Sequence, residues 1–147
     1  MTPQELARAC AETMLLDDNT VRSLGFSVDE VGPGRAVVTV TVDEHMTNGH
    51  GICHGGYIFT LADTAFAYAC NTYNQRTVAQ HCSITFIKPA MIGETLTATG
   101  TERMLDGRNG IYDITVTGAE GAVVAEFRGF SRTIAGTILE EKTGAPA

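Results

Sequence analysis

A chain of 147 residues, 44% hydrophobic and 18% charged, has the make-up of one globular domain and is long enough to bury on the order of 70% of its unfolded surface. A net charge of −7, with no cluster of Lys or Arg along the sequence, argues against nucleic acid as a partner. No apolar run approaches ~18 residues, and no basic segment followed by an apolar one opens the chain, so neither a transmembrane helix nor a secretion signal is expected.

Residues 1–18 read as a helix. Thr2 can cap it, Pro3 suits its first position and Glu5 completes a capping box; Leu6, Ala9, Cys10, Thr13, Met14 and Leu16 then form a partly apolar stripe. Asp17-Asp18-Asn19 is read as its end. Gly32-Pro33-Gly34 is a turn, and the alternating run Ala36–Val42 predicts a strand.

Thr47–Gly56 is a glycine-rich loop. From Tyr57 the period changes: Ile58, Leu61, Ala62, Ala65, Phe66 and Ala69 recur at helical spacing, and the run is apolar enough to predict a helix buried on most sides. Strands are expected at Val78–Lys88, Glu94–Leu105, Ile111–Thr117 and Ala122–Ile134, the last three as an antiparallel meander. Residues 136–147 are expected to form a flexible tail. Helix, strand, apolar helix and four strands describe one α+β domain spanning 1–147, a curved antiparallel sheet wrapped around a buried central helix.

Two features carry chemistry. The glycines at the start of the central helix leave backbone N–H groups open to a ligand, at the positive end of the helix dipole, where a developing oxyanion is stabilised. A glycine-rich turn is the plainer account. Asp63 stands inside the apolar helix, where burial would raise its pKa and suit it to act as a base; a place on the one polar face, with Thr60 and Thr64, is the plainer account. Asp63 follows Gly56 by about 10 Å along the helix axis at ~1.5 Å per residue. One carbonyl cannot comfortably meet both groups in one chain. Two antiparallel helices in a dimer would bring one chain's loop to the other chain's Asp63.

Asn48 to Asn71, with His54-Gly55-Gly56, Leu61-Ala62-Asp63 and the run Ala65–Asn71, resembles the hotdog-fold acyl-CoA thioesterases of the phenylacetate-degradation (PaaI-type) branch. Phe86–Pro89, Gly93–Leu96, Tyr112–Ile114 and Phe127–Gly129 extend the resemblance over nearly the whole chain. It implies hydrolysis of acyl-CoA thioesters, with phenylacetyl-CoA or a hydroxylated aryl relative as substrate. It further implies Asp63 as general base or nucleophile, the Gly55 N–H as oxyanion donor, Asn48 as a positioning group and His54 as support for the loop. Gly56, Lys88 and Arg128 are the substrate-binding candidates, although surface pairing with acids is the plainer account of any one cation. Lys88, Arg103, Arg108 and Arg128 could each meet CoA phosphates. A homo-oligomer, as a dimer of dimers, is implied, working in the cytoplasm without metal or separate cofactor.

Cys10, Cys53, Cys70 and Cys82 form no C-x-x-C pair and are expected to be free thiols in a reducing cytosol. His45, His50 and His81 have no metal-site spacing, and His81 reads as structural. Two other functions compete: a non-catalytic acyl-CoA binder or sensor on the same fold, and a hotdog dehydratase using His54 with Asp63. The retained acid speaks against the first, and the surrounding motif against the second.

Overall fold

The fold is taken from a computed structural model that describes residues 1–140. Helix α1 (Pro3–Asp17) begins where the sequence places it, with Thr2 Oγ1 accepting from Glu5 N at 3.1 Å. The other half of the box differs: the Thr2 hydroxyl itself donates to the Glu5 carboxylate. Asp17-Asp18-Asn19 does not end helical structure. Asp18 caps a second helix, α2 (Asn19–Leu24), by accepting from Val21 N at 3.1 Å, and Gly25 closes it at φ +70°. Six residues with only Val21 buried leave no apolar stripe to find. Strand β1 (Ser27–Gly32) was also missed; a register shift between Val28 and Glu30 and its exposed side chains break the alternation.

The remaining elements lie close to expectation: β2 (Arg35–Thr41), α3 (Gly55–Cys70), β3 (Thr77–Phe86), β4 (Thr95–Asp106), β5 (Asn109–Thr117) and β6 (Val123–Thr133). They form one antiparallel six-stranded sheet in the order β1-β2-β4-β5-β6-β3, which contains the expected meander. Strand β3 lies beyond β6 and forms one edge of the sheet. This is the hotdog fold, with α3 as the wrapped helix.

α3 packs chiefly on β2, β4 and β5. Its Leu61, Ala62, Ala65, Phe66 and Ala69 are buried against the inward rows of the sheet, among them Val38, Leu96, Ala98, Ile114 and Phe127. Small residues set how close the layers come. A Cβ at Gly100 would stand 3.3 Å from the Ala65 carbonyl oxygen, and one at Gly129 would stand 2.6 Å from the Phe66 ring. The beginning of the expected flexible tail is tied down instead: Gly136 O accepts from Arg76 N, and Asn74 Oδ1 accepts from Ile138 N and Leu139 N at 3.1 and 2.8 Å. Residues 141–147 of that tail lie outside the described residues.

Candidate active site

The loop before α3 is held by its own polar groups. Asn48 Oδ1 accepts from His50 N at 2.8 Å and Ile52 N at 3.1 Å, while Asn48 N donates to Ile52 O. Cys53 N donates to Ala90 O and His54 N to Met46 O, both at 2.8 Å. These bonds fix the direction in which the chain enters the helix. His54 occupies the N-cap with an exposed side chain that makes no capping bond. Its backbone supports the turn, the carbonyl accepting from Tyr57 N and Ile58 N.

Gly55 and Gly56 open α3, and their N–H groups have no hydrogen-bond acceptor among the described residues. They are the orphan donors of a helix start, at the positive end of a 16-residue helix. Beside Gly55 lies an open pocket of 340 Å³ with walls of Ile52, Ile58, Phe86, Ile87 and Pro89. The Phe86 ring closes on the glycine: a Cβ there would meet its Cζ at 2.8 Å. Lys88 stands in the same lining, so the fold brings this candidate to Gly55. Phe86 was legible only as part of the Phe86–Pro89 run. Its approach to Gly55 depends on β3 crossing behind the helix start.

Asp63 lies further along α3 and is half-buried. Its carboxylate makes no hydrogen bond or ion pair among the described residues. Thr60 and Thr64, its neighbours on the polar face, spend their hydroxyls on the helix backbone, donating to Gly56 O at 2.8 Å and Thr60 O at 2.7 Å. Loss of water therefore dominates, and burial raises the Asp63 pKa above the usual carboxylate range. Its charge is also felt by two thiols. Cys82 is pushed up by burial and then by Asp63, and Cys70 is pushed up to about 12, mainly by burial with Asp63 as a lesser cause. Gly55 and Asp63 lie on one helix, about 12 Å apart along its axis at ~1.5 Å per residue.

Arg128 is not brought to this pocket in the single chain. The inward residues of β6 include Phe127 and Gly129, so Arg128 points from the opposite face of the sheet. There its Nε and Nη2 grip Asp113 Oδ1 and Oδ2 at 2.7 and 3.0 Å, the surface pairing that was the plainer account. His81 packs against Phe130 with ring centroids 5.3 Å apart, a structural contact.

Residues 50–125 match the family model described as "Thioesterase superfamily". The acyl-coenzyme A thioesterase PaaI of Escherichia coli K12 is 46% identical over 131 residues, 89% of this chain and 94% of that protein. Human acyl-coenzyme A thioesterase 13 is 30% identical over 95 residues, 63% of this chain and 68% of that protein. Among solved structures, the E. coli PaaI protein from the phenylacetic acid degradation operon superposes with a TM-score of 0.90 at 43% identity, covering 92% of this chain and 99% of that one. A Streptococcus mutans protein bound to acetyl CoA gives 0.73 at 27% identity, over 76% of this chain and 90% of that one.

Proposed function

The chain belongs to the thioesterase superfamily, and from that premise we propose that it hydrolyses acyl-CoA thioesters to the free acid and CoA, with Asp63 as its catalytic carboxylate. The observation that carries this reading is a half-buried, unpartnered carboxylate on a helix whose first N–H groups are also unpartnered. The desolvated carboxylate costs stability where it stands, and the orphan N–H groups of the helix start are open to a ligand. Together they supply the two needs of thioester hydrolysis, a base and an oxyanion donor.

In the proposed reaction the Gly55 N–H, seconded by Gly56, donates to the thioester carbonyl oxygen. Asp63 takes a proton from water as the water oxygen bonds to the carbonyl carbon. The tetrahedral intermediate collapses, the C–S bond breaks, and the CoA thiolate leaves and takes up the proton. If Asp63 attacks directly, an aspartyl–acyl anhydride forms first and water then cleaves it. Label in Asp63 after a single turnover in ¹⁸O water establishes the direct route, because only an anhydride cleaved at the Asp63 carboxyl carbon puts it there. Asn48 positions the loop through its two backbone bonds. No step calls for a metal.

The acyl group is proposed to be phenylacetyl or a hydroxylated aryl acyl group. The apolar pocket beside Gly55, with Phe86 in its wall, supports this, as does the relative from a phenylacetic acid degradation operon. The protein is proposed to work as a dimer at least, and as a dimer of dimers, with α3 helices antiparallel so that Gly55 of one chain meets Asp63 of its partner. The distance between these groups along α3 supports sharing. So does β3, an edge strand whose Val78 and Phe86 are 45% and 50% exposed. No helix of the described residues is long and apolar enough to cross a membrane, and the cysteines are free, as a reducing cytoplasm would keep them.

The test is a panel of acyl-CoA thioesters assayed by release of free thiol, with wild type beside Asp63→Asn. Aryl-acetyl thioesters are expected to give the highest kcat/KM. Near-normal hydrolysis by the Asn variant would remove Asp63 from the chemistry, and no thiol release from any acyl-CoA would remove the enzymatic reading.

A further inference from the structure

Helix starts fray readily, because their first N–H groups have no acceptor, and a capping side chain is the common remedy. At α3 that remedy is missing: His54 stands at the N-cap and its side chain makes no capping bond. A side-chain cap would also work against the proposed reaction. A Ser, Asn or Asp at the N-cap accepts from the second or third N–H of the helix, which here belong to Gly56 and Tyr57. Such an oxygen would stand beside the donors that the thioester carbonyl needs. The start of α3 has to be held by a group that accepts no hydrogen bond.

Phe86 meets that requirement. Outside its own helix turn and chain neighbours, the three atoms nearest to where a Gly55 Cβ would stand all belong to the Phe86 ring: Cζ at 2.8 Å, Cε1 at 3.1 Å and Cε2 at 3.4 Å. The ring therefore lies against the Gly55 α-carbon, in space that exists only because residue 55 has no Cβ. Gly56 differs, since a Cβ there would meet nothing within 4 Å. The contact between ring and glycine is specific to position 55.

The ring is half exposed, so its place is set by the backbone that carries it. Phe86 ends β3 and is paired with Ala125 of β6. The next two residues are tied to the same strand, Ile87 N and Lys88 N both donating to Val124 O, at 2.8 and 3.2 Å. The far end of this segment is tied to the loop that leads into α3. Cys53 N donates to Ala90 O at 2.8 Å and Ile92 N to Gly51 O at 3.0 Å. Residues 86–92 thus form a strap from β6 to the glycine loop, and the Phe86 ring is its contact with the helix start.

We infer that Phe86 is the positioning residue of the oxyanion donor: its ring replaces a side-chain cap and fixes the direction of the Gly55 N–H while leaving that N–H free to donate. The inference rests on the thioesterase reading and deepens it. An oxyanion donor works by being aimed before charge develops, so a group that aims it acts on turnover more than on binding.

The test is a double-variant cycle of Gly55→Ala and Phe86→Ala, read as kcat and KM in the thiol-release assay, with thermal unfolding recorded for each protein. Gly55→Ala keeps every N–H but puts a methyl where the ring lies, and Phe86→Ala removes the ring. Each is expected to lower kcat about tenfold or more, part of the ~10²–10³ that one oxyanion donor supplies, with KM within about threefold. Both break the same contact, so the double variant should be no slower than the slower single one. Phe86→Leu, apolar but shorter, should fall between wild type and Phe86→Ala, and it takes the place of Phe86→Ala in the cycle if that variant does not fold. Losses that multiply in the double variant overturn the inference. So does wild-type kcat in folded Gly55→Ala or folded Phe86→Ala, since a merely structural ring would change the melting temperature and leave kcat alone. If the unsubstituted protein releases no thiol from any acyl-CoA, the thioesterase reading falls and takes the inference with it; an active wild type whose variants act independently sinks the inference alone.

Discussion

Asp63 is costly where it stands, and that cost can be measured. Burial raises its pKa in the folded chain, so the folded state holds the proton more tightly than the unfolded one. Its contribution to stability is therefore fully present below the unfolded value, about pH 4, and is lost as the pH rises through the folded pKa. Asp63→Asn removes a charge that the fold must desolvate. The variant is expected to melt at a higher temperature than wild type at pH 7, with the gap closing toward pH 4. Turnover should move the opposite way, falling at least ~100-fold, the lower end of what a positioned base supplies. Thermal scans at the two pH values and a thiol-release assay check both halves. An Asn variant that melts lower than wild type at pH 7 would contradict the desolvation account. In wild type, kcat/KM should fall on the acid side as Asp63 is protonated, with a midpoint above the usual carboxylate value.

At the scale of elements, the contact of α3 with the sheet decides whether the site is held in place. The Phe127-Arg128-Gly129 run acquires a physical meaning here. Phe127 fills the core, Arg128 faces outward to Asp113, and Gly129 leaves room for the Phe66 ring. Gly129→Ala would force a Cβ to 2.6 Å from that ring, which is buried and has nowhere to retreat. A loss of about 1–3 kcal/mol is expected from overpacking. Gly49→Ala, with open space around it, should stay within about 0.5 kcal/mol of wild type. Urea denaturation of the two variants makes the comparison, and equal midpoints would show that the helix is not pressed against β6 as described.

For the whole molecule, the proposed site needs two chains, and complementation between inactive variants tests this directly. Gly55→Val places bulk where the Phe86 ring already closes on the backbone, so it should cripple the oxyanion donor. Mixed with Asp63→Asn and allowed to exchange subunits, equal amounts give about half mixed dimers by two-fold symmetry. In a shared site, each mixed dimer carries both lesions in one site and none in the other. Roughly a quarter of wild-type activity should return. No recovery, with exchange confirmed by mass, rejects the shared site, as does a fully active monomer in sedimentation under assay conditions.

Local pattern alone determined much of this protein. The 3.6-residue period and apolar content marked α3, the Val- and Thr-rich runs marked five of the six strands, and Thr2 with Glu5 marked the first helix start. The same reading singled out the glycine-rich approach to α3 and Asp63 within its apolar run, while the choice of Gly55 among those glycines came from the family resemblance. Features without a local conflict stayed hidden. α2 is too short to show a period, and β1 is broken by its register shift. Nothing along the chain places β3 at the edge beside β6, since strand pairing is settled by long-range packing. The nearness of Phe86 to Gly55 follows from that placement. The meeting of Asp113 and Arg128, far apart in sequence, likewise follows from the register of β5 and β6. Hydrogen bonding between strands brings such residues into register, and only the folded sheet makes those bonds.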